Sequence, residues 1–282
     1  MQSLNPGNTE HSPLPQSANA GGQVQSFIQV DTDSITSLLE QLDRIVNWAK
    51  QQDNAIGFFP LFYQKIIRQV EAEISWGRFS EKALMEELNR HMVSRFLTTL
   101  QAYFQGGVLP GAWQLVLTSA GNQQVSIFQH LIIGLQAHLL HDLPLSASEV
   151  VGNESAEQFE EDYFIYVLLL VESIEQVHKD LGRQSKAFKV MSTLGSSHDQ
   201  WLAKVSRVAT HREAWELAKK LSQVEGSVQV DLIDKIDQQA TKSIEGIVSG
   251  AFKPRRRLMS KVSRWQNQPT SSLIQELKQV LG

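Results

Sequence analysis

The chain has 282 residues, of which 41% are hydrophobic and 20% are charged, and its formal net charge is −4. This composition is typical of a globular protein long enough to bury a substantial core. The net charge is too small to imply a polyanionic or polycationic partner for the molecule as a whole. The chain has no cysteine, which excludes disulfides, thiolate catalysis and zinc–thiolate sites, so a metal ion would need His, Asp or Glu ligands.

The first residues of the chain have the composition of a disordered segment. Residues 1–25 are rich in Pro, Ser, Asn, Gly and Gln, and they lack the basic start and apolar run of an export signal. We predict a disordered tail over residues 1–28. No uninterrupted apolar segment reaches about 18 residues, the length at which a membrane-spanning helix is expected. A cytoplasmic location is therefore the default expectation.

From residue 31 onward, apolar residues recur every three or four positions, which is the spacing of amphipathic helices. No segment alternates with the period of a strand. The pattern predicts a single all-α domain of roughly eight to ten helices around a buried central helix at about residues 123–142. We place the helical core at residues 31–225 and a C-terminal helical extension, packed on that core, at residues 226–282. Pro144 is expected to end the central helix, with a loop over residues 145–154.

Local residues also predict three other helix ends. Asp33 or Ser34 can cap the first helix, and Ser80 can cap the third. Gly106 and Gly107 are expected to end that third helix.

The central helix carries polar residues along one side of an otherwise apolar segment. An α-helix turns by about 100° per residue. Five residues therefore lie on one stripe, about 120° wide around the helix axis: His130, Gly134, His138, His141 and Asp142. A helix that is apolar nearly all round is buried, and buried imidazoles and carboxylates need partners or a metal ion. The stripe therefore predicts a polar pocket. A purely structural explanation is also open. In it, His130 and His138 are core histidines with satisfied hydrogen bonds, and Asp142 caps a helix end or a loop.

The spacing within the stripe indicates two kinds of chemistry. His138 and Asp142 lie one helical turn apart, so they can share a metal ion or form a pair in which the aspartate orients a general-base histidine. His130 lies roughly 12 Å from His138 along the helix axis. We expect it to act as a further ligand or as the general base, across the notch that Gly134 leaves. Asp162 is a candidate third ligand or a partner of a helix N-terminus. The metal interpretation predicts a divalent ion, Zn, Fe or Mn, as cofactor.

Two further side chains are candidates for contact with a substrate. Arg95 lies on an otherwise apolar helix. It can pair with Asp142 or Asp162, hold an anionic substrate group, or lie exposed on the surface. Tyr63 can donate a hydrogen bond into the pocket or pack in the core.

A basic stretch lies near the C-terminus. The segment KPRRRLMSKVSR runs from Lys253 to Arg264 and has six basic residues and no acidic one. As an amphipathic helix it can dock on a membrane surface or an acidic partner, or pack its apolar side on the protein. Aromatic residues are not interleaved with the basic ones as a stacking platform requires, so we expect no nucleic-acid partner.

Several short motifs occur in order along roughly residues 50–220. They are Asp53-x4-Phe58-Phe59 with Tyr63, Arg95-Phe96-Leu97, Pro110-Gly-Ala-Trp113, Gln129-His130-Leu-Ile-Ile-Gly134 and Ala137-His138-Leu-Leu-His-Asp142-Leu-Pro144. Together they resemble the bacterial domain-of-unknown-function family 5995. The resemblance implies a site at the His138–Asp142 block and implies no particular activity. The family usually has asparagine where this chain has Gln136 and Leu140, so a role for those amides is not expected here.

A shorter pattern is similar to the metal-binding helix of zinc-dependent phospholipase C and related nucleases. It consists of Gly134-x3-His138-x3-Asp142 followed by Pro144, and the likeness implies metal-assisted hydrolysis.

The sequence leads to three functional hypotheses. The first is an enzyme that hydrolyses a lipid- or ester-like substrate with a metal-activated water. The second is a non-catalytic protein that binds a small apolar ligand or lipid. The third is metal-free acid–base chemistry on a small hydrophobic metabolite.

Overall fold

The computed structural model describes residues 28, 34–121, 127–151, 156–184, 208–250 and 269–281. Within them the protein consists of helices joined by turns and contains no strand, which confirms the predicted all-α class. The α-helices are α1 (Ile35–Gln51), α2 (Phe58–Ser75), α3 (Lys82–Gln105), α4 (Gly111–Ser119), α5 (Ile127–Ala137), α6 (Leu143–Val150), α7 (Ala156–Gln184), α8 (Val208–Leu221), α9 (Gly226–Gly250) and α10 (Thr270–Leu281). None of these helices combines the length and apolar character needed to cross a membrane. Of the tail predicted over residues 1–28, the structure describes residue 28 alone, and Ile28 is buried in the core rather than disordered. Residues 1–27 and the basic stretch over residues 253–264 lie outside the described residues.

Local sequence sets several helix ends. The Ser34 side chain accepts a hydrogen bond from a backbone N–H in the first turn of α1, as the sequence predicts for a cap. Gly106 ends α3 with a φ of 69°, a left-handed conformation that glycine adopts without a steric clash. The start of α3 differs from the prediction, because the Ser80 side chain does not cap it. Instead, the backbone N–H groups of Ser80 and Glu81 donate to the carboxylate of Asp162 on α7.

The central helix does not end at Pro144. After α5, the chain makes a wider π turn (His138–Asp142) and passes directly into α6, which occupies most of the loop predicted over residues 145–154. In a regular α-helix the proline ring would collide with the carbonyl group four residues earlier. In the π turn the Leu143 N–H donates to the carbonyl of His138, five residues earlier. The extra residue lets the helix continue past the proline.

The central helix and the π turn lie in the middle of the molecule. Every side chain from residue 130 to residue 139 is buried. α9 packs against α4, α5 and the π turn, and α10 packs against α1, α2 and α7. Asp237 of α9 accepts hydrogen bonds from the backbone N–H groups of Gly111 and Ala112 at the start of α4, at 2.7 and 3.0 Å. Both C-terminal helices thus contribute to the same apolar core as the earlier ones. The boundary between residues 225 and 226 stays a prediction.

Candidate functional site

Asp142, the last residue of the π turn, is the centre of a buried polar network. Its side chain is fully buried. The indole N–H of Trp113 donates to both carboxylate oxygens, at 3.0 and 3.1 Å. Nδ1 of His138 lies 3.1 Å from one oxygen, and Nδ1 of His141 lies 2.8 Å from the other. The π turn and α4 together direct two imidazoles and one indole at a single carboxylate.

The partners of Asp142 keep it ionised. Burial alone would raise the pKa of this carboxyl group. Hydrogen bonds and electrostatic attraction from His138 and His141 outweigh burial and hold the pKa well below its usual range. An ionised carboxylate only accepts hydrogen bonds, so each imidazole donates from Nδ1. In the neutral form of either ring, the lone pair is therefore on Nε2.

His138 faces the protein interior. Its ring is fully buried, and its centroid lies 4.3 Å from that of Tyr63 and 5.7 Å from that of Phe59. Nε2 of His138 is buried without a hydrogen-bond partner among the described residues, and the hydroxyl of Tyr63 interacts with that of Tyr166 on α7. Tyr63, predicted to contact a substrate, is thus next to His138 but enclosed in the core.

His141 instead lines a surface groove. The groove has a volume of about 400 Å³ and is open to solvent. Its lining mixes charged, hydroxyl and apolar side chains, among them His91, Ser94, Arg95, Leu109, His141 and Glu149. The His141 side chain itself is nearly buried, with 5% of its surface exposed. Because Nδ1 of His141 lies against Asp142, Nε2 is the ring nitrogen that Asp142 leaves free.

A second histidine–carboxylate pair lies in the same groove. Nδ1 of His91 is 3.0 Å from Oε2 of Glu149, and the Glu149 carboxylate also forms an ion pair with the guanidinium of Arg95. Nε of Arg95 donates to the hydroxyl of Ser146 at 3.3 Å. Arg95 is therefore held at the groove by Glu149 and Ser146, and its contact with a substrate stays a prediction. Its ionic partner is Glu149, and not one of the buried aspartates considered from the sequence.

The donors around Asp142 do not fit a metal ion. Three N–H groups occupy the two oxygens of Asp142, so neither oxygen is left for a cation. Asp162, the predicted third ligand, accepts the N–H groups of Ser80 and Glu81, at 3.0 and 2.6 Å, and stabilises the start of α3 instead. In the described part of the chain, no three His, Asp or Glu side chains are arranged to hold a metal ion. The geometry therefore does not support a metal site at His138, Asp142 and Asp162, and the likeness to zinc-dependent phospholipase C stays unconfirmed.

Gly134 allows a close contact between helices. A Cβ atom at this position would lie 2.5 Å from the ring of Phe59 on α2. That ring is held between further aromatic side chains, since it also contacts Phe96 and Trp113. The notch over Gly134 is thus filled by Phe59, and it is a packing contact rather than the predicted position for a substrate.

His130 is separate from the Asp142 network. Its ring centroid lies 6.0 Å from that of Phe58, and its Nδ1 lies 3.5 Å from Oγ of Ser119. Burial lowers the pKa of His130 to about 4, so the ring is neutral at pH 7. These contacts are those of a neutral core histidine, the alternative that the sequence left open. They do not place His130 in the predicted role of catalytic base or ligand.

Sequence reasoning missed several members of this site. Trp113 gave one usable signal, because a buried indole N–H usually has an acceptor and the chain offers a buried carboxylate. His141 fell within the predicted stripe, but its position in the lining of the groove follows from the π turn. His91 and Glu149 are far apart in the chain, and the packing of α3 against α6 brings them together.

The fold and the site define a class: an all-helical protein in which a buried aspartate carries two histidines, one of them in a surface groove. The chain belongs to the family of unknown function DUF5995, whose match covers residues 35–250 and so runs from α1 to the end of α9. This match confirms the resemblance drawn from the motifs between residues 53 and 144. No curated protein and no solved structure matches the chain.

Proposed function

We propose that this protein is a metal-independent acid–base enzyme that hydrolyses a small ester in the groove beside His141. One observation carries the proposal: the carboxylate of Asp142, buried and ionised, lies 2.8 Å from Nδ1 of a histidine that lines an open groove. A carboxylate at Nδ1 fixes the orientation and tautomer of the ring. It leaves the lone pair of Nε2 to accept a proton from a reacting group.

In the proposed reaction, Nε2 of His141 removes a proton from a water molecule as the water oxygen bonds to the ester carbonyl carbon. The carbonyl π electrons move onto oxygen, and the tetrahedral intermediate then expels the alcohol, which takes the proton back from the imidazolium. Asp142 stabilises that imidazolium without itself taking the proton. The products are a carboxylic acid and an alcohol, and the enzyme returns to its starting protonation state.

The groove also supplies groups for substrate binding. The guanidinium of Arg95 and the hydroxyls of Ser94 and Thr99 line it and offer donors for an oxygen that gains negative charge. Leu109 and Val108 add apolar surface beside these donors. This combination suits a small ester with a short apolar chain, which keeps the hydrophobic substrate expected from the sequence and limits its size to the groove.

Hydrolysis of p-nitrophenyl butyrate in buffer containing EDTA tests the proposal. We expect the wild-type rate to exceed that of equimolar imidazole. We expect His141→Gln to lower kcat/KM roughly 100-fold or more, the usual contribution of a general base. His130→Asn is the matched control, because it alters another buried histidine of the central helix away from the groove, and its rate should equal that of the wild type. Circular dichroism checks that both variants are folded.

Three results would overturn the proposal. The first is a wild-type rate no higher than that of imidazole, and the second is full activity of His141→Gln. The third is an activity that EDTA removes and a divalent ion restores, which would favour the metal-assisted hypothesis. Recovery of a bound apolar ligand, unaltered after incubation, together with no hydrolysis, would favour the non-catalytic binding hypothesis.

A further inference from the structure

One wall of the groove beside His141 is a single face of α3. Six side chains of this helix line the groove at helical spacing: His91, Ser94, Arg95, Thr98, Thr99 and Ala102. At about 1.5 Å per residue, this face extends over roughly 16 Å. Since α3 packs against both α6 and the π turn, those two elements form the facing wall. The groove is therefore long enough for its two ends to bind different parts of one ligand.

Two side-chain contacts show that the two walls run antiparallel. Nδ1 of His91 lies 3.0 Å from Oε2 of Glu149, and Nε of Arg95 donates to the hydroxyl of Ser146 at 3.3 Å. As the residue number rises along α3, it thus falls along the facing wall. His141 precedes Ser146 by five residues. It therefore lies beyond Arg95 in the direction of the C-terminus of α3, by roughly 7 Å along the groove.

The two ends of the groove differ in polarity. Near the start of α3 the lining consists of ionisable side chains: His91, Arg95 and Glu149. At the end that includes His141 it also contains apolar side chains: Ala102, Val108, Leu109 and Pro110. The side chain of Val108 is 97% exposed, so an apolar group bound beside it would bury surface that water now covers. This arrangement fits a ligand with one apolar end and one polar end.

The polar end of the groove offers donors to a ligand. The carboxylate of Glu149 faces His91 with one oxygen and Arg95 with the other. The guanidinium of Arg95 has five N–H donors, and its contacts with Glu149 and Ser146 use two of them. Within the described part of the chain, the other donors are available to a ligand. A carboxylate suits them best, because hydrogen bonds between guanidinium and carboxylate groups are among the strongest in proteins.

We propose that the groove binds a half-ester of a dicarboxylic acid, with its free carboxylate on Arg95, its ester carbonyl at His141 and its alcohol part on Val108 and Leu109. Arg95 is then a specificity-determining residue. The separation of roughly 7 Å selects an acyl chain of about four methylene groups, which spans about 6 Å when extended. Water adds to the ester carbonyl carbon, the bond to the alcohol oxygen breaks, and the dicarboxylic acid and the alcohol leave. The position of the ester rests on the proposed function, whereas the carboxylate site does not.

Two esters that differ at one end test the specificity. p-Nitrophenyl hydrogen adipate carries the carboxylate, and p-nitrophenyl methyl adipate carries a neutral methyl ester in its place. After subtraction of each spontaneous rate, we expect the wild-type kcat/KM to be roughly tenfold higher for the acid. Arg95→Gln should remove this preference by raising KM for the acid. Arg90→Gln is the matched control, because Arg90 pairs with Glu87 on the same helix, and it should keep the preference.

Binding measured without turnover separates the carboxylate site from the proposed hydrolysis. The probe is N-butyl adipamic acid, in which an amide replaces the ester, and its methyl ester is the neutral comparison. By isothermal titration calorimetry, we expect the acid to bind the wild type and His141→Gln with a Kd at least roughly tenfold lower than that of the methyl ester. Arg95→Gln should lose this difference.

The outcomes distinguish the two proposals. Equal Kd values for the two probes in the wild type, or no binding of the acid, would overturn the carboxylate site even if both esters are hydrolysed. This comparison needs no variant, so it holds if Arg95→Gln does not fold. Selective binding of the acid without hydrolysis of either ester would support the carboxylate site and overturn the proposed hydrolysis alone.

Discussion

The two ends of the central helical segment carry the same kind of side chain in opposite environments. Near the start, His130 is buried against Phe58 and Ser119, and burial lowers its pKa to about 4. At the far end, His138 and His141 share the carboxylate of Asp142. Burial by itself keeps an imidazole neutral, whereas a carboxylate fixes its orientation and can stabilise its charged form. The proposed chemistry therefore lies at the paired end, whereas the contacts of His130 at the other end are packing contacts.

Loss of the shared carboxylate of Asp142 should cause the largest loss of stability. Asp142→Ala leaves three buried N–H donors without an acceptor, so we expect the free energy of unfolding to fall by about 3–5 kcal/mol. Urea denaturation followed by circular dichroism measures the change. Asp43→Ala is the control, since Asp43 pairs with Lys278 at the surface, and its cost should be below about 1 kcal/mol. Equal stability of the two variants would show that the hydrogen bonds to Asp142 do not stabilise the protein as proposed.

The pH dependence of protein stability should reveal the buried environment of His130. The pKa of His130 is about 4 in the folded protein and about 6.5 in an unfolded chain. The unfolded state therefore binds more protons between these values, and the contribution of His130 to stability is complete above pH 6.5 and is lost as the pH falls toward 4. Between pH 7 and pH 4.5 this loss should be about 2 kcal/mol. His130→Asn should reduce the pH dependence by that amount in urea denaturation. If the pH dependence of the unfolding free energy were the same in His130→Asn and in the wild type, burial would not lower the pKa of His130.

The elements that follow from local pattern were predictable from the sequence. Apolar spacing predicts the helices, Ser34 predicts the start of α1, and glycine at residue 106 predicts the end of α3. Pro144 misled the prediction because its effect depends on the hydrogen-bond register of the turn before it. That register is set by packing around the π turn rather than by the proline alone.

The candidate site was predictable only in part, for the same reason. A hydrogen bond between His138 and Asp142 is one of the two arrangements that their spacing predicts. The partner of Asp162 comes from the start of α3, and the partner of Asp142 on α4 comes from another segment of the chain. Periodicity assigns a residue to a helix face, but it does not identify which donors the fold brings to that face. Both aspartates therefore remained candidate metal ligands beside their other interpretations, and in the structure each accepts N–H groups.

The smallest effect should come from Gly134, which lies between the two ends. Gly134→Ala places a Cβ atom 2.5 Å from the ring of Phe59. Overpacking of this kind costs about 1–3 kcal/mol, and the higher helix propensity of alanine returns up to about 1 kcal/mol, so we expect a net loss of about 1–2 kcal/mol. Gly246→Ala is the matched control, because a Cβ atom at this exposed position of α9 meets nothing within 4 Å, and it should stabilise the protein slightly. If Gly134→Ala were tolerated as well as the control, the ring of Phe59 would have to move easily. The contact between Gly134 and Phe59 would then not restrict the size of the side chain at this position, and the interpretation of the notch as tight packing would fail.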